Sequence, residues 1–131
     1  MTDAALLPSE ARTATATTAE VRTTVGDRGA LLILDITDAP NAEETLYLTI
    51  EAKDEVSGEH IALSEFNETA DGSALGEGGR YAYILYPTPT PETMADGVQH
   101  LGLPAPRHWR ATVTHSGSGS WTYSLGYQPL S

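Results

Sequence analysis

The sequence contains no cysteine, which excludes a disulfide framework, thiolate metal sites and a cysteine nucleophile. It is also poor in positive charge: seven Lys and Arg stand against eighteen Asp and Glu, for a formal net charge of −11. So few cations argue against nucleic-acid binding, which requires clustered Lys and Arg to neutralise phosphates, and against docking on anionic lipid. No apolar run approaches the ~20 residues of a membrane span, and the first residues lack the basic-then-apolar pattern of a secretion signal. There is no long amphipathic helix, no βαβ rhythm and no repeat of solenoid period. What remains is 131 residues, the length of one domain. At that size folding removes roughly 65–70% of the unfolded chain's surface from water.

Short β-type segments fill this length. Residues 1–11 read as an N-terminal arm, because Pro8 interrupts Ala4-Ala5-Leu6-Leu7 and biases Leu7 towards extended geometry. Residues 12–131 read as the folded domain. The Thr/Ala alternation that opens 12–25 suits an edge strand, interrupted around Glu20. Ala30-Leu31-Leu32-Ile33-Leu34-Asp35-Ile36 is continuously apolar apart from Asp35, which predicts a strand buried on both faces. Residues 45–53 alternate, with Leu46, Leu48, Ile50 and Ala52 on one side, and a turn at 54–59 leads into a returning strand at 60–66. Residues 67–79 are a polar, glycine-rich loop, and 80–86 form an aromatic strand. The stretch 87–106 holds Pro87, Pro89, Pro91, Pro104 and Pro106 and predicts a long connection, with one helical turn begun by Thr90. Strands at 108–115 and 121–127 close the chain, joined by a Gly/Ser turn read as a hairpin. The expected fold is all-β: a single antiparallel β-sandwich, jelly-roll or immunoglobulin-like, of about seven strands, with an extended arm and a long Pro-rich loop. Leu32, Leu34, Leu48, Ile50, Tyr83, Trp109, Val113 and Tyr123 are its expected core.

Catalytic constellations find no support in this pattern. His108 and His115 lie seven apart on one strand and so face opposite sides; neither they nor His60 and His100 have the converging third ligand that a metal requires. Asp35, set in an apolar run, reads as a hydrogen-bonded or outward-facing carboxylate rather than a general acid. The acidic stretches Asp54-Glu55 and Asp35-Ile36-Thr37-Asp38 lack the calcium-loop pattern. Gly76-Glu77-Gly78-Gly79-Arg80 lacks the Lys-Ser/Thr ending of a phosphate loop. No cofactor is expected. Tyr47, Tyr81, Trp109, Trp121 and Tyr127 would serve as a sugar-stacking platform only if two or more were exposed in one row.

Arg12-Thr13-Ala14-Thr15, Lys53-Asp54 before Ser57-Gly58, Tyr86-Pro87, Leu103-Pro104, Arg107-His108-Trp109-Arg110, Val113-Thr114-His115 and Tyr123-Ser124-Leu125-Gly126 follow one another in a recognisable order. In that order and spacing the chain resembles small virion proteins encoded among the head and tail genes of tailed bacteriophages and prophages of actinobacteria. Two stretches depart from the pattern: 103–107 is longer, and 67–79 is more acidic. The resemblance implies a non-enzymatic structural protein, assembled in the host cytoplasm and carried on the virion. It is expected to be a capsid decoration protein that contacts the major capsid protein and neighbouring copies of itself, in a homo-oligomeric array. Segments 1–18 and 87–106 are then the expected contacts, through Arg12, Thr13, Thr15, Pro87, Pro89, Pro91, Met94, Leu101 and Leu103. Deletion of 1–11 is expected to abolish attachment and leave the domain folded. The competing readings are a head–tail connector or minor tail protein, a carbohydrate-binding β-sandwich, and a hydrolase with an unrecognised acid pair.

Overall fold

A computed structural model describes residues 4–40, 44–66, 79–89, 91, 93, 95 and 97–131. These residues are all-β, with ten strand segments and no helix: β1 (Ala4–Arg12), β2 (Ala16–Thr17), β3 (Val21–Arg22), β4 (Gly29–Asp38), β5 (Leu46–Lys53), β6 (His60–Phe66), β7 (Gly79–Leu85), β8 (Val98–Leu101), β9 (His108–His115) and β10 (Trp121–Leu130). They form two separate sheets. The first is five-stranded in the order β1-β10-β4-β7-β8; the second runs β2-β9-β5-β6, with β3 also paired to β9. Every pairing is antiparallel except β7 with β8.

The inner faces of the two sheets share one core, giving a sandwich-like arrangement. Leu32, Leu34, Leu48, Ile50, Tyr83, Trp109, Val113 and Tyr123 are all fully buried in it. Trp109 of the second sheet meets Tyr127 of the first edge-to-face, with ring centroids 5.5 Å apart, the geometry favoured by the aromatic quadrupole. Alternation of period two explains the rest, since each strand places every second side chain on this core.

The strand number exceeds the expected seven for three local reasons. Thr18 breaks the edge strand into β2 and β3, because its hydroxyl accepts the Ala111 N–H while its own N–H reaches the Ala111 carbonyl. The Pro-rich stretch contains β8, which lies parallel to β7. A parallel neighbour requires a crossover of about a dozen residues, and that requirement accounts for the length of the connection after Pro87. Of the helical turn expected from Thr90, Thr90, Glu92, Met94 and Asp96 lie outside the described residues, and Pro91, Thr93 and Ala95 are not helical.

The third addition is at the N-terminus. Residues expected as an arm form β1 over their described part, antiparallel to β10 and closing the edge of the first sheet. Leu7 is 8% exposed, and register shifts on either side of it accommodate Pro8, which an edge strand with a bulge tolerates. Deletion of 1–11 therefore removes a sheet strand and a core side chain, and its effect is not confined to contacts with neighbours.

Two further expectations are corrected. The turn at 116–120 does not make a hairpin: β9 belongs to the second sheet and β10 to the first. Both strands carry buried rings on their inner faces, and placing them in opposite sheets turns those faces towards each other. Glu44 holds the crossing, accepting the Gly119 N–H at 2.8 Å. Nor is β4 buried on both faces. Ala30, Leu32, Leu34 and Ile36 are buried, whereas Leu31 is half-buried and Ile33 is 39% exposed.

Candidate functional site

The outer face of the five-stranded sheet holds the most distinctive surface. β4 is apolar at both parities, so Leu31 and Ile33 point away from the core that Leu32 and Leu34 fill. Ala5, Gly126, Ile33, Ala82 and Val98 are successive cross-strand partners and form one row across the sheet. Leu31 and Ile84 stand side by side in the next row. Small residues flank Ile33 on both sides, which leaves its side chain raised above its neighbours. The strip ends at the Asp35–Arg80 pair, 3.7 Å apart, and at Gln128 and His100 on the other side. A low-relief apolar strip with a polar rim has the anatomy of a protein interface.

The segments expected to touch neighbours lie at the two edges of this face, β1 on one side and β8 on the other. Thr13, Thr15, Pro87, Pro89 and Pro91 are exposed, and Leu103 is 49% exposed. Met94 lies outside the described residues. Leu101 packs against the core. Arg12 is also turned inward, its side chain only 9% exposed. Its guanidinium lies 4.7 Å from the centre of the Tyr123 ring and donates to the carbonyls of Tyr123 at 2.6 Å and Pro8 at 2.5 Å. The Tyr123 hydroxyl in turn lies 2.8 Å from His115 Nε2. Burial pushes the Tyr123 phenol up to about 12. Burial, and then the charge of Arg12, holds the His115 imidazole below its usual value.

Charged groups concentrate on the outer face of the second sheet. Arg110 Nε and the Thr112 hydroxyl donate to Glu51 at 2.8 and 2.9 Å. Burial draws the Glu51 carboxyl upward, but these two donors outweigh it and the group sits below the usual range. His60 pairs with Glu20 at 3.0 Å, and His108 pairs with Glu55. These are one-to-one pairs; among the described residues no three His, Asp or Glu converge as a metal site would require. Asp54 caps its own turn, accepting the Val56 N–H and the Ser57 hydroxyl. Trp109 and Trp121 are fully buried and Tyr81 and Tyr127 nearly so, so they form no exposed row for a sugar.

Sequence reasoning missed the apolar strip. Its signal was present in the run at 30–36, apolar apart from Asp35, which identifies a strand with two apolar faces without saying what covers the second. No family model matches this chain, and no curated protein or solved structure matches it either.

Proposed function

We propose that this chain is a structural protein of a tailed-bacteriophage virion, a capsid decoration protein seated on the outer face of the major capsid lattice. The carrying observation is the apolar strip around Ile33. It is a second surface of core-like composition, and among the described residues no element covers it. Within the decoration reading the strip faces the capsid and the exposed ends of β1 and the Pro-rich crossover reach neighbouring subunits. The net charge of −11 keeps free copies apart until they dock.

The same proposal refines the architecture to a jelly roll. With β2 and β3 taken as one interrupted strand and β8 as an edge addition, the sheets reduce to β1-β10-β4-β7 over β2/β3-β9-β5-β6. The last strand lies beside the first, and only β5 and β6 follow each other within one sheet, a double Greek-key order. Jelly rolls serve in viral capsids and in lectins alike, so the choice falls to the site. Buried aromatic rings and an apolar rather than hydroxyl-binding face favour protein contact.

Immunogold labelling of purified virions that encode the chain tests the reading. Decoration predicts label over the whole head, at a stoichiometry matching the capsid lattice. Label confined to the head–tail junction, at about a dozen copies or fewer as ring symmetry dictates, would replace it with the connector reading. Particles free of label would overturn it.

A further inference from the structure

We infer that β1 is an exchangeable strand: when copies of this chain assemble, Ala4–Arg12 of one copy occupies the β10 edge of another. The occupant is identified by the slot itself. The edge of β10 fits Ala4–Arg12 in this structure, down to the Leu7 side chain and the Arg12 guanidinium, and a second copy of this chain carries the same segment.

Several features make β1 separable. It lies at a sheet edge and pairs only with β10 in that sheet, so withdrawing it leaves the rest of the sheet intact. Among its apolar side chains from Ala5 onward only Leu7 is buried, with Leu6 packed partly against the core, and Arg12 is turned inward at its far end. Its ladder is irregular, with register shifts between Ala5 and Leu7 and between Leu7 and Glu10; Pro8 within the second interval has no N–H to donate. Strong polar attachment to β10 comes at the far end, where Arg12 donates to the Tyr123 carbonyl; its bond to the Pro8 carbonyl lies within β1 and travels with it. Beyond Arg12, residues Thr13, Ala14 and Thr15 are all exposed before the chain enters β2 in the opposite sheet. That three-residue crossing is a hinge with little packing to lose.

Exchange remakes every one of these contacts in the neighbour, so the enthalpic balance is close to neutral and the outcome depends on concentration. Short connections of this kind favour the exchanged form. The outer edge of β1 is unchanged by the exchange. The inference deepens the decoration reading by specifying how neighbouring copies are tied together. Its test involves no capsid, so exchange can fail while virion labelling succeeds, and the reverse.

The absence of native cysteine allows a direct assay. Ala11 and Thr122 are cross-strand partners, so the double variant A11C/T122C places one thiol on β1 and its mate on β10. The full chain is refolded at high dilution and at high concentration, then oxidised, and its linkages are mapped by mass spectrometry. The expected result is a disulfide joining positions 11 and 122 within single chains after dilute refolding. After concentrated refolding the same two positions should be joined between chains, with most of the protein shifted to covalent dimers or larger rings. Bonds between positions 11 and 122 confined to monomers at both concentrations would overturn the inference, as would dimers joined only through position 11 of each chain. If that variant fails to fold, A5C/G126C reads the same pairing, since a Cβ at Gly126 meets only the Ile33 carbonyl at 3.9 Å.

Discussion

Ile33 and Leu34 are adjacent on β4, equally apolar, and pointed at opposite faces of one sheet. Leu34 is fully buried, while Ile33 is 39% exposed. Truncating Leu34 to Ala removes its transfer free energy and leaves a cavity between the sheets, at a cost of about 2–5 kcal/mol. Ile33→Thr keeps the β-branch and the strand preference and replaces a partly exposed ethyl group by a hydroxyl that water can reach, which puts its cost at roughly 1 kcal/mol or less. For a domain of this size that is a shift of about 3–5 °C in Tm, against ~10 °C or more for Leu34→Ala. Urea titration with matched m-values measures both. The proposed function predicts the reverse ranking: Ile33→Thr should sharply reduce occupancy on virions with the fold intact. If Ile33→Thr proves as destabilising as Leu34→Ala, the outer face is already covered within the monomer, and the strip is core rather than interface.

Other consequences follow from named contacts. Arg12→Ala, which removes three charge-assisted hydrogen bonds and the stacking on Tyr123, should cost about 1–3 kcal/mol and raise hydrogen exchange throughout 4–12; Arg12→Lys should recover little, because an ammonium lacks the two-pronged donor. Since His115 is held below its ordinary value of 6.5 by burial and Arg12, the unfolded chain binds a proton that the folded chain refuses as pH falls past that value. Stability is therefore complete above 6.5 and declines below it, and His115→Gln should flatten the slope down to the carboxylate range, as read by denaturant midpoints at stepped pH. Gly29→Ala should destabilise strongly, because its Cβ would collide with the backbone carbonyl of Leu85. Gly117→Ala should be milder, because the atoms nearest its Cβ belong to the Glu44 side chain, and Glu44→Ala should relieve it in a double-mutant cycle.

Much of the core was legible because its signal is local. Leu46, Leu48 and Ile50 repeat at period two, as do Tyr81, Tyr83 and Leu85 and the alternate residues of β9 and β10, and each set lies on the inner face. The features that were not legible depend on partners far along the chain. Gly117-Ser118-Gly119 suits a hairpin and a crossing between sheets equally well; the crossing is held by Glu44, which reaches it from the connection before β5. β1 looked like an arm because its sequence offers only Leu6 and Leu7 and then a proline, and its status as a strand comes from β10, more than a hundred residues later. β8 is short and weakly patterned, and its place beside β7 follows from a crossover whose geometry no residue in it announces. The expected contact residues divided in the same way. Exposed Thr13, Thr15 and the prolines needed only local polarity to be placed, whereas Arg12 and Leu101 are drawn inward by Tyr123 and by the core.

The five-stranded sheet guards its edges and leaves its face open, and that asymmetry constrains how it associates. β1 is interrupted by two register shifts and Pro8, and β8 spans only Val98–Leu101; bulged, proline-bearing and short edges resist strand-to-strand propagation between molecules. The face carries no comparable defence, because the Asp35–Arg80 pair lies at its margin and not across Ile33. An apolar strip left bare on a protein that is also free to add strands would invite open-ended aggregation. Exchange of β1 between copies rebuilds the same blunted edge, so with its charge strongly negative the chain has one route to a foreign partner: face-on contact with a flat surface that does not repel it. A capsid shell offers such a surface in many symmetric copies, which is why the strip is the strongest structural argument for the proposed decorating role.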